Sequence, residues 1–171
     1  MDNKKISAGT RFPAFSWEGV GGARVDPASD SGWRTLVIYR GKHCPLCKAY
    51  LHTLNGLRAD FASSGIRIAA VSADPQEKAE AEVAQNAWAF PVGYGLSLPQ
   101  MRELGLYISA PRSPQETDRP FSEPALFVIN PEGLIQIVDI SNAPFARPDL
   151  GSLLKGLQFI ISNDYPIRGL I

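Results

Sequence analysis

The chain of 171 residues contains only two cysteines and has no excess of charge of either sign, with 17 basic and 17 acidic side chains. Two cysteines cannot form a disulfide framework, and a hydrophobic content of 44% is enough for one core at this length. Balanced charge without long runs gives no basic surface for nucleic acid or for an acidic membrane. The composition therefore favours small molecules or other proteins as partners.

Long apolar runs are also missing from the sequence. No segment approaches the ~18 apolar residues of a membrane helix. The N-terminal stretch MDNKKISAGTRFPAFSW lacks the apolar region of a secretory signal. Because internal repeats and linker-like segments are absent too, we predict a single domain over residues 1–171 in the cytoplasm. In that compartment a lone cysteine pair is catalytic, redox-active or metal-binding rather than a permanent disulfide.

What the sequence does contain is an alternation of strands and helices, typical of an α/β fold. Four apolar, β-branched runs bounded by turn residues predict core strands at 36–39, 66–71, 125–129 and 134–140. Apolar residues at three-and-four spacing from Cys47 onward predict a helix that begins at the cysteines. The turn Asn-Pro-Glu-Gly is short enough to join only antiparallel neighbours. We therefore expect a mixed sheet.

Three further helices are predicted. The segment SADPQEKAEAEVAQ favours a helix with Asp74 as N-cap, Pro75 in the first helical position and Glu77 completing a capping box. A Pro- and Gly-rich stretch between residues 90 and 123 predicts a short helix at 98–104 followed by a long exposed loop. An amphipathic segment from Leu150 to Ile161 predicts a closing helix that covers one face of the sheet.

Both cysteines, Cys44 and Cys47, lie in LVIYRGKHCPLCKAYL, where a strand passes into a helix. Unpaired N–H groups and the helix dipole at such a position favour thiolate over thiol. Arg40 and His43 place cationic or protonatable groups nearby. A spacing of three residues allows the second sulfur to close a disulfide with the first. We predict that Cys44 is the exposed attacking thiolate and that Cys47, deeper in the fold, resolves the product. The alternative is two buried cysteines that only fill space.

Metal binding is another possible use of the cysteine pair. The Cys-x-x-Cys spacing suits zinc, and His43 and His52 are close in sequence. A closed tetrahedral site needs four ligands. Because His43 adjoins Cys44 and His52 follows Cys47 by more than a helical turn, a compact cage at one helix end is awkward. We predict no metal and no other cofactor.

Five segments in order, FPAFSW, VIYRGKHCPLC, IAAVSADPQEKA, FPVGYG and EPALFVINPEG, resemble peroxiredoxin-related proteins of the alkyl hydroperoxide reductase and thiol-specific antioxidant family over nearly the whole chain. The resemblance implies a thioredoxin-like fold: a central mixed sheet flanked by helices, with an N-terminal extension and a peroxiredoxin-type insertion. It also implies a thiol-dependent oxidoreductase that reduces a peroxide or exchanges a protein disulfide. A thioredoxin- or glutathione-like thiol would then be the electron donor.

The cysteine segment departs from the family motif Pro-x-x-x-Thr/Ser-x-x-Cys and its arginine from a distant strand. Counted from the end of the strand, Cys47 falls at the peroxidatic position, Cys44 replaces Thr/Ser and Arg40 replaces Pro. Glu123 occupies the position where the arginine often lies. An alignment on the shared Cys-Pro dipeptide of Cys44 and Pro45 gives Cys44 the peroxidatic role instead. We prefer the first alignment, because it also superposes both cysteines on the thioredoxin pair. The lost groups argue against high peroxidase efficiency.

Pro124 precedes a core strand, where thioredoxin-like proteins carry a cis-proline that faces the cysteine pair. The resemblance therefore predicts a cis Glu123–Pro124 peptide that contributes to substrate binding, against a trans proline that simply starts a strand.

Two expectations concern function and assembly. The alternative to an enzyme is a non-catalytic thioredoxin-fold binding module or a redox sensor. The tail SNDYPIRGLI is apolar for a terminus, so we expect it to pack on its own domain or on a second copy in a homodimer.

Overall fold

A computed structural model describes residues 6–171. Its helices are α1 (Pro45–Ser63), α2 (Gln76–Asn86), α3 (Leu98–Glu103) and α4 (Leu150–Asn163), with a 3₁₀ turn at Val20–Gly22. Its strands are β1 (Trp17–Glu18), β2 (Arg24–Val25), β3 (Trp33–Ile38), β4 (Ile66–Val71), β5 (Val92–Gly93), β6 (Ile108–Ser109), β7 (Phe121–Ser122), β8 (Ala125–Ile129) and β9 (Ile135–Ile140). No helix within this part of the chain is long and apolar enough to cross a membrane.

The central sheet has five strands in the order β5-β4-β3-β8-β9. Strand β4 runs parallel to β3 and to β5, whereas β8 is antiparallel to both β3 and β9. The sheet is mixed, as the sequence predicts. Helix α1 provides the crossover between the parallel strands β3 and β4, and a tight turn joins the antiparallel strands β8 and β9. Together with the flanking helices this is the predicted thioredoxin-like fold.

Both faces of the sheet are covered by apolar side chains. On one face, α1 and α4 bury Leu51, Leu54, Phe61, Leu154 and Leu157 against the strands. On the other face, the N-terminal segment and α3 contribute the buried side chains of Phe12, Trp17 and Met101. Burial on both faces explains why the central strands are continuous apolar runs without alternation. It also holds the end of β3, and therefore the cysteine segment, in a fixed place.

The predicted helices are present, but the predicted start of α2 is wrong. The Asp74 carboxylate accepts a hydrogen bond from the Lys42 N–H at 2.7 Å, so it does not cap the helix. Helix α2 begins one residue later than predicted, at Gln76, and Pro75 takes the cap position without a side-chain hydrogen bond. By contrast, Ser97 and Gln100 form a complete capping box at α3.

The long loop predicted before residue 123 is partly ordered by pairing. Strands β6 and β7 form an antiparallel pair with Ile108 opposite Ser122. The connection between them is tied to α2, because Lys78 Nζ lies 2.9 Å from Asp118 Oδ1. This insertion therefore lies over the end of the sheet that carries the cysteines.

The C-terminal tail lies against its own domain. The Tyr165 carbonyl accepts a hydrogen bond from Gln136 Nε2 at 3.4 Å. A Cβ atom built on Gly9 would come within 2.6 Å of Leu170 Cδ2, so Leu170 contacts the N-terminal segment. This is the first of the two arrangements expected for the tail.

Candidate active site

The loop between β3 and α1 places the cysteines. Gly41 adopts φ +134°, and a side chain there would collide with the Asp74 carboxylate, so glycine is required. Asp74 accepts from the Lys42 N–H, and the Cys44 N–H donates to the Gly41 carbonyl at 3.1 Å. These contacts fix the position of Cys44 at the start of α1. Pro45, the first residue of that helix, is exposed.

Cys44 is the N-cap of α1. Its Sγ accepts a hydrogen bond from the Cys47 N–H at 3.4 Å, and Arg40 Nη1 lies 3.8 Å from the same sulfur. The Cys47 thiol and its N–H group, together with the Arg40 guanidinium, lower the pKa of Cys44 to about 5 against the opposing effect of burial. Cys44 is therefore a thiolate at neutral pH.

Cys47 lies one turn further along α1 and is completely buried. Its thiol donates to the Cys44 sulfur, and together with burial this raises the pKa of Cys47. Arg147 Nη1 approaches the Cys47 sulfur to 3.4 Å. Both cysteines are free, so the site holds a thiolate and a thiol side by side.

Arg147 has no signal in the sequence that marks it as a site residue. It precedes α4 and is held by Tyr50, because its guanidinium carbon lies 4.2 Å from the centre of that ring. The Tyr50 hydroxyl in turn donates to the Pro148 carbonyl at 2.6 Å. Only the packing of α4 against α1 brings Arg147 to the cysteines.

The expectation that Cys44 is exposed is wrong, because only 2% of the residue is accessible. The β6–β7 insertion covers this end of the helix and closes a cleft of about 610 Å³ around it. Besides Cys44, the cleft is lined by Arg40, Lys42, His43, Pro45, Lys78, Arg112, Ser113, Gln115 and Glu116. The structure thus brings Arg40, His43 and Pro45 together with Cys44. The cleft admits a small molecule to the sulfur more readily than a folded partner.

Arg40 is fixed by two carboxylates. Its Nε lies 3.2 Å from Glu123 Oε2, and its Nη2 lies 3.6 Å from Glu116 Oε1. The Ser109 hydroxyl donates to Glu123 at 2.7 Å, and the Phe121 ring lies 4.9 Å from the Arg40 guanidinium carbon. A cation, Arg40, therefore lies beside the Cys44 sulfur with its own carboxylate partners.

His43 does not turn a nitrogen toward a partner. Its ring packs edge-on against Phe121 at 4.6 Å between centroids, and neither ring nitrogen makes a hydrogen bond within residues 6–171. Burial lowers the pKa of His43, so the ring is neutral at neutral pH. His52 is exposed further along α1. In the described part of the chain no group of three or more His, Cys, Asp or Glu side chains could hold a metal ion.

The prediction of a cis-proline at 124 is wrong. Residues 6–171 contain no cis peptide bond, so Glu123–Pro124 is trans. The Glu123 N–H donates to the Tyr107 carbonyl and the Pro124 carbonyl accepts from Ser141, so this segment runs straight from β7 into β8. The Glu123 side chain lies beside Arg40. Pro124 does not line the cysteine cleft.

Comparisons with known proteins agree with this geometry. Residues 8–138 match the AhpC/TSA family. A peroxiredoxin-like protein from Aquifex aeolicus aligns with TM-score 0.76 at 14% identity over 91% of this chain and 88% of its own. Peroxidoxin BcpB of Mycobacterium tuberculosis gives 0.73 at 18% identity over 91% and 98%, and Enterococcus faecalis AhpC gives 0.74 at 16% identity over 95% and 98%. A search of curated protein sequences gives no match.

Proposed function

The chain belongs to the AhpC/TSA family, a family of thiol-dependent peroxidases, and on this premise we propose that Cys44 reduces the peroxide and Cys47 resolves the oxidised product. The observation that carries this assignment is the environment of the Cys44 sulfur. It accepts the Cys47 N–H at the start of α1 and has Arg40 beside it, whereas Cys47 keeps its proton. A thiolate is the nucleophile that peroxide reduction needs.

Both cysteines take part in the reduction of one peroxide molecule, and an external thiol then reduces the pair. The Cys44 thiolate attacks one peroxide oxygen, the O–O bond breaks, and the other oxygen leaves as hydroxide from hydrogen peroxide, or as an alkoxide from an organic hydroperoxide, and is protonated by the solvent. Cys44 is then a sulfenic acid, oxidised by two electrons. The Cys47 sulfur attacks the sulfenic sulfur, an S–S bond forms and water departs. Two electrons and two protons from an external thiol donor return both cysteines to the reduced state.

Arg40 is the cation that we assign to the first step. It lies within reach of the sulfur and of the cleft, so it can donate to a peroxide oxygen as negative charge develops there. Its carboxylate partners keep its orientation. His43 and Pro45 shape the cleft and exclude water, and we assign no role in peroxide binding to Pro124, which lies outside the cleft.

Exchange with a protein disulfide is a second candidate activity. The spacing of the cysteines and the exposed Leu46 between them, with 48% of its surface accessible, favour approach of another protein. The small exposed fraction of Cys44 disfavours it in this conformation. The family assignment supports an enzyme rather than the alternative of a binding module. A thiol electron donor, a homodimer, a cytoplasmic location and a single domain over residues 1–171 stay predictions.

The test is a comparison of two oxidants on the same reduced protein. Stopped-flow mixing with hydrogen peroxide and, separately, with an oxidised protein disulfide gives the rate of each oxidation, and mass spectrometry identifies the oxidised sulfur. We expect peroxide to react faster and to leave sulfenic acid on Cys44 when Cys47 is replaced by serine. A faster reaction with the protein disulfide would favour the second candidate, and sulfenic acid on Cys47 would reverse the roles.

A further inference from the structure

A second cleft lies at the opposite end of the central strands. Cys44 follows the carboxyl end of β3, whereas this cleft opens at the amino ends of β3 and β4, so the length of a strand, roughly 17–20 Å, separates the two. It has a volume of about 660 Å³, which is within the range of small-molecule sites. None of the residues that line it belongs to the cysteine cleft.

The cleft forms where β4 has an open edge. Strand β5 pairs with β4 only at Ala70 and Val71, so in the described chain residues 66–69 have no strand partner on that side. One wall is the segment around β2 and Pro27, and the other is the end of α1 with Arg58 and Ala62. The floor is apolar and extends over the open edge of β4, with Val25 and Leu36 from the core on one face of the sheet, Ile66, Ile68 and Phe90 from the core on the other, and Pro91.

The charged residues of the cleft are nearly all cationic. Four arginines face one carboxylate: Arg24, Arg34, Arg58 and Arg67 against Asp30. Asp30 is paired with one of them, because its Oδ1 lies 4.0 Å from Arg67 Nη1. Arg24 pairs with a carboxylate outside the cleft, Asp26, at 3.6 Å. The side chains that line the cleft thus carry a surplus of positive charge in a protein whose net charge is zero.

Arg34 is the residue that marks this cleft as a binding site. Only 5% of it is exposed, and within residues 6–171 it has no carboxylate within 4 Å. Its Nη1 donates to the Gly32 and Asn130 carbonyls at 2.7 Å each, and its buried Nε has no hydrogen-bond partner. Asp30 acts on Arg34 only from beyond 4 Å. A buried cation without a contacting anion is costly, and an anionic ligand beside it would remove part of that cost.

We propose that this cleft binds a small organic anion, with a carboxylate or phosphate group held by the arginines and an apolar body on the floor beside the β4 edge. The planar guanidinium fork suits both headgroups. The apolar floor argues for a body of several carbon atoms and against a free inorganic anion. An extended acidic peptide is the competing occupant, because the open β4 edge could accept a strand.

The experiment uses the full chain and measures binding by calorimetry and by the shift of the melting temperature. Octanoate and octyl phosphate are the ligands, octanol provides the apolar body without charge, and inorganic phosphate provides charge without the body. We expect an octyl anion to bind more tightly than either control. Backbone amide shifts should be confined to the neighbourhood of Val25, Ile68 and Phe90. Equal binding of octanol or inorganic phosphate, or no binding of either octyl anion, would overturn the proposal.

Amino-acid substitutions test whether the octyl anions bind in this cleft. Arg58→Gln with Arg67→Gln removes two exposed cations of the cleft and should weaken binding about 100-fold, roughly tenfold for each lost charge-assisted hydrogen bond. The matched control is Arg102→Gln, an exposed arginine in the last turn of α3, which should leave the affinity unchanged. Peroxide turnover should be the same in all of these variants. Unchanged affinity in the double variant would place the ligand elsewhere, and binding of an acidic peptide but of neither octyl anion would assign the cleft to a peptide.

Discussion

Arg40 lies between the Cys44 sulfur at 3.8 Å and the Glu123 carboxylate at 3.2 Å. Arg40 follows the carboxyl end of β3 by two residues. It therefore lies between the nucleophilic sulfur and a carboxylate, and Glu123 keeps the guanidinium beside Cys44. The site thus holds a positive charge next to the Cys44 sulfur.

Replacing Arg40 tests this arrangement through the titration of Cys44. The thiolate fraction of Cys44 falls as the pH falls through its pKa of about 5. In Arg40→Met the lost cation should raise the midpoint by about one pH unit or more, because a nearby opposite charge accounts for a shift of that size. The pH dependence of the rate of alkylation by iodoacetamide measures the midpoint.

Arg112→Met is the control for this measurement. Arg112 lines the same cleft and pairs with Glu116 at 3.1 Å, but it makes no contact with the sulfur. Its removal should leave the midpoint in place. If Arg40→Met and Arg112→Met titrate alike, Arg40 does not set the pKa of Cys44.

The cysteine variants separate attack from resolution. Cys44→Ser removes the thiolate, so peroxide consumption should fall at least about 100-fold, and disulfide exchange should be lost as well. Cys47→Ser should still react once and then stop, since no second sulfur remains to close the disulfide. Labelling with dimedone after one equivalent of peroxide detects the trapped sulfenic acid. A dead Cys47→Ser protein, together with sulfenic acid on Cys47 in Cys44→Ser, would show that Cys47 attacks.

Arg147 should act in the second step. It lies 3.4 Å from the Cys47 sulfur, where it can stabilise the thiolate that attacks the sulfenic acid. Arg147→Met should slow disulfide formation about tenfold, the effect of one pH unit in the pKa of Cys47. The rate of Cys44 oxidation should not change. Rapid-quench labelling of sulfenic acid and disulfide with time distinguishes the two steps, and equal slowing of both would indicate a general disturbance of the site.

The strands and most helix starts could be predicted from the sequence because apolar periodicity and capping residues act over a few positions. The position of Cys44 at the start of α1 could be predicted for the same reason. Its burial could not be predicted, since the insertion that covers it is distant in sequence. Arg147 was missed for the same reason, as it reaches Cys47 only through the contact of α4 with α1. The prediction that Asp74 caps α2 is wrong because its carboxylate accepts a hydrogen bond from the Lys42 N–H, which is 32 residues away in the sequence.

The tail should contribute to the stability of the chain. It contacts Gln136 through the Tyr165 carbonyl and the Gly9 region through Leu170. Deletion of residues 164–171 should lower the melting temperature by roughly 3 °C, the shift expected for about 1 kcal/mol in a domain of this size. Ile171→Ser removes a fully exposed side chain and serves as the control. A lower melting temperature with an unchanged elution volume would show that the tail stabilises its own domain, and an altered elution volume would show a role in a dimer.

Glu82 should make stability depend on pH. Its side chain is buried, neither oxygen has a hydrogen-bond partner within residues 6–171, and burial raises its pKa to about 7. Below its ordinary pKa of 4.5 the carboxyl is protonated in both the folded and the unfolded state, so its titration does not change the free energy of unfolding there. Between pH 4.5 and 7 the unfolded state releases the proton while the folded state retains it, so the free energy of unfolding falls as the pH rises.

Glu82→Gln removes this titration and keeps the shape of the neutral carboxyl. We expect its melting temperature to equal that of the unsubstituted protein near pH 4.5 and to exceed it at pH 8. The gain in the free energy of unfolding at pH 8 should be roughly 3 kcal/mol or less, from a pKa difference of about 2.5 units. Glu80→Gln, an exposed carboxylate on the same helix, is the control and should show no such pH dependence. A difference between Glu82→Gln and the unsubstituted protein that is the same at both pH values would mean that Glu82 does not titrate on unfolding.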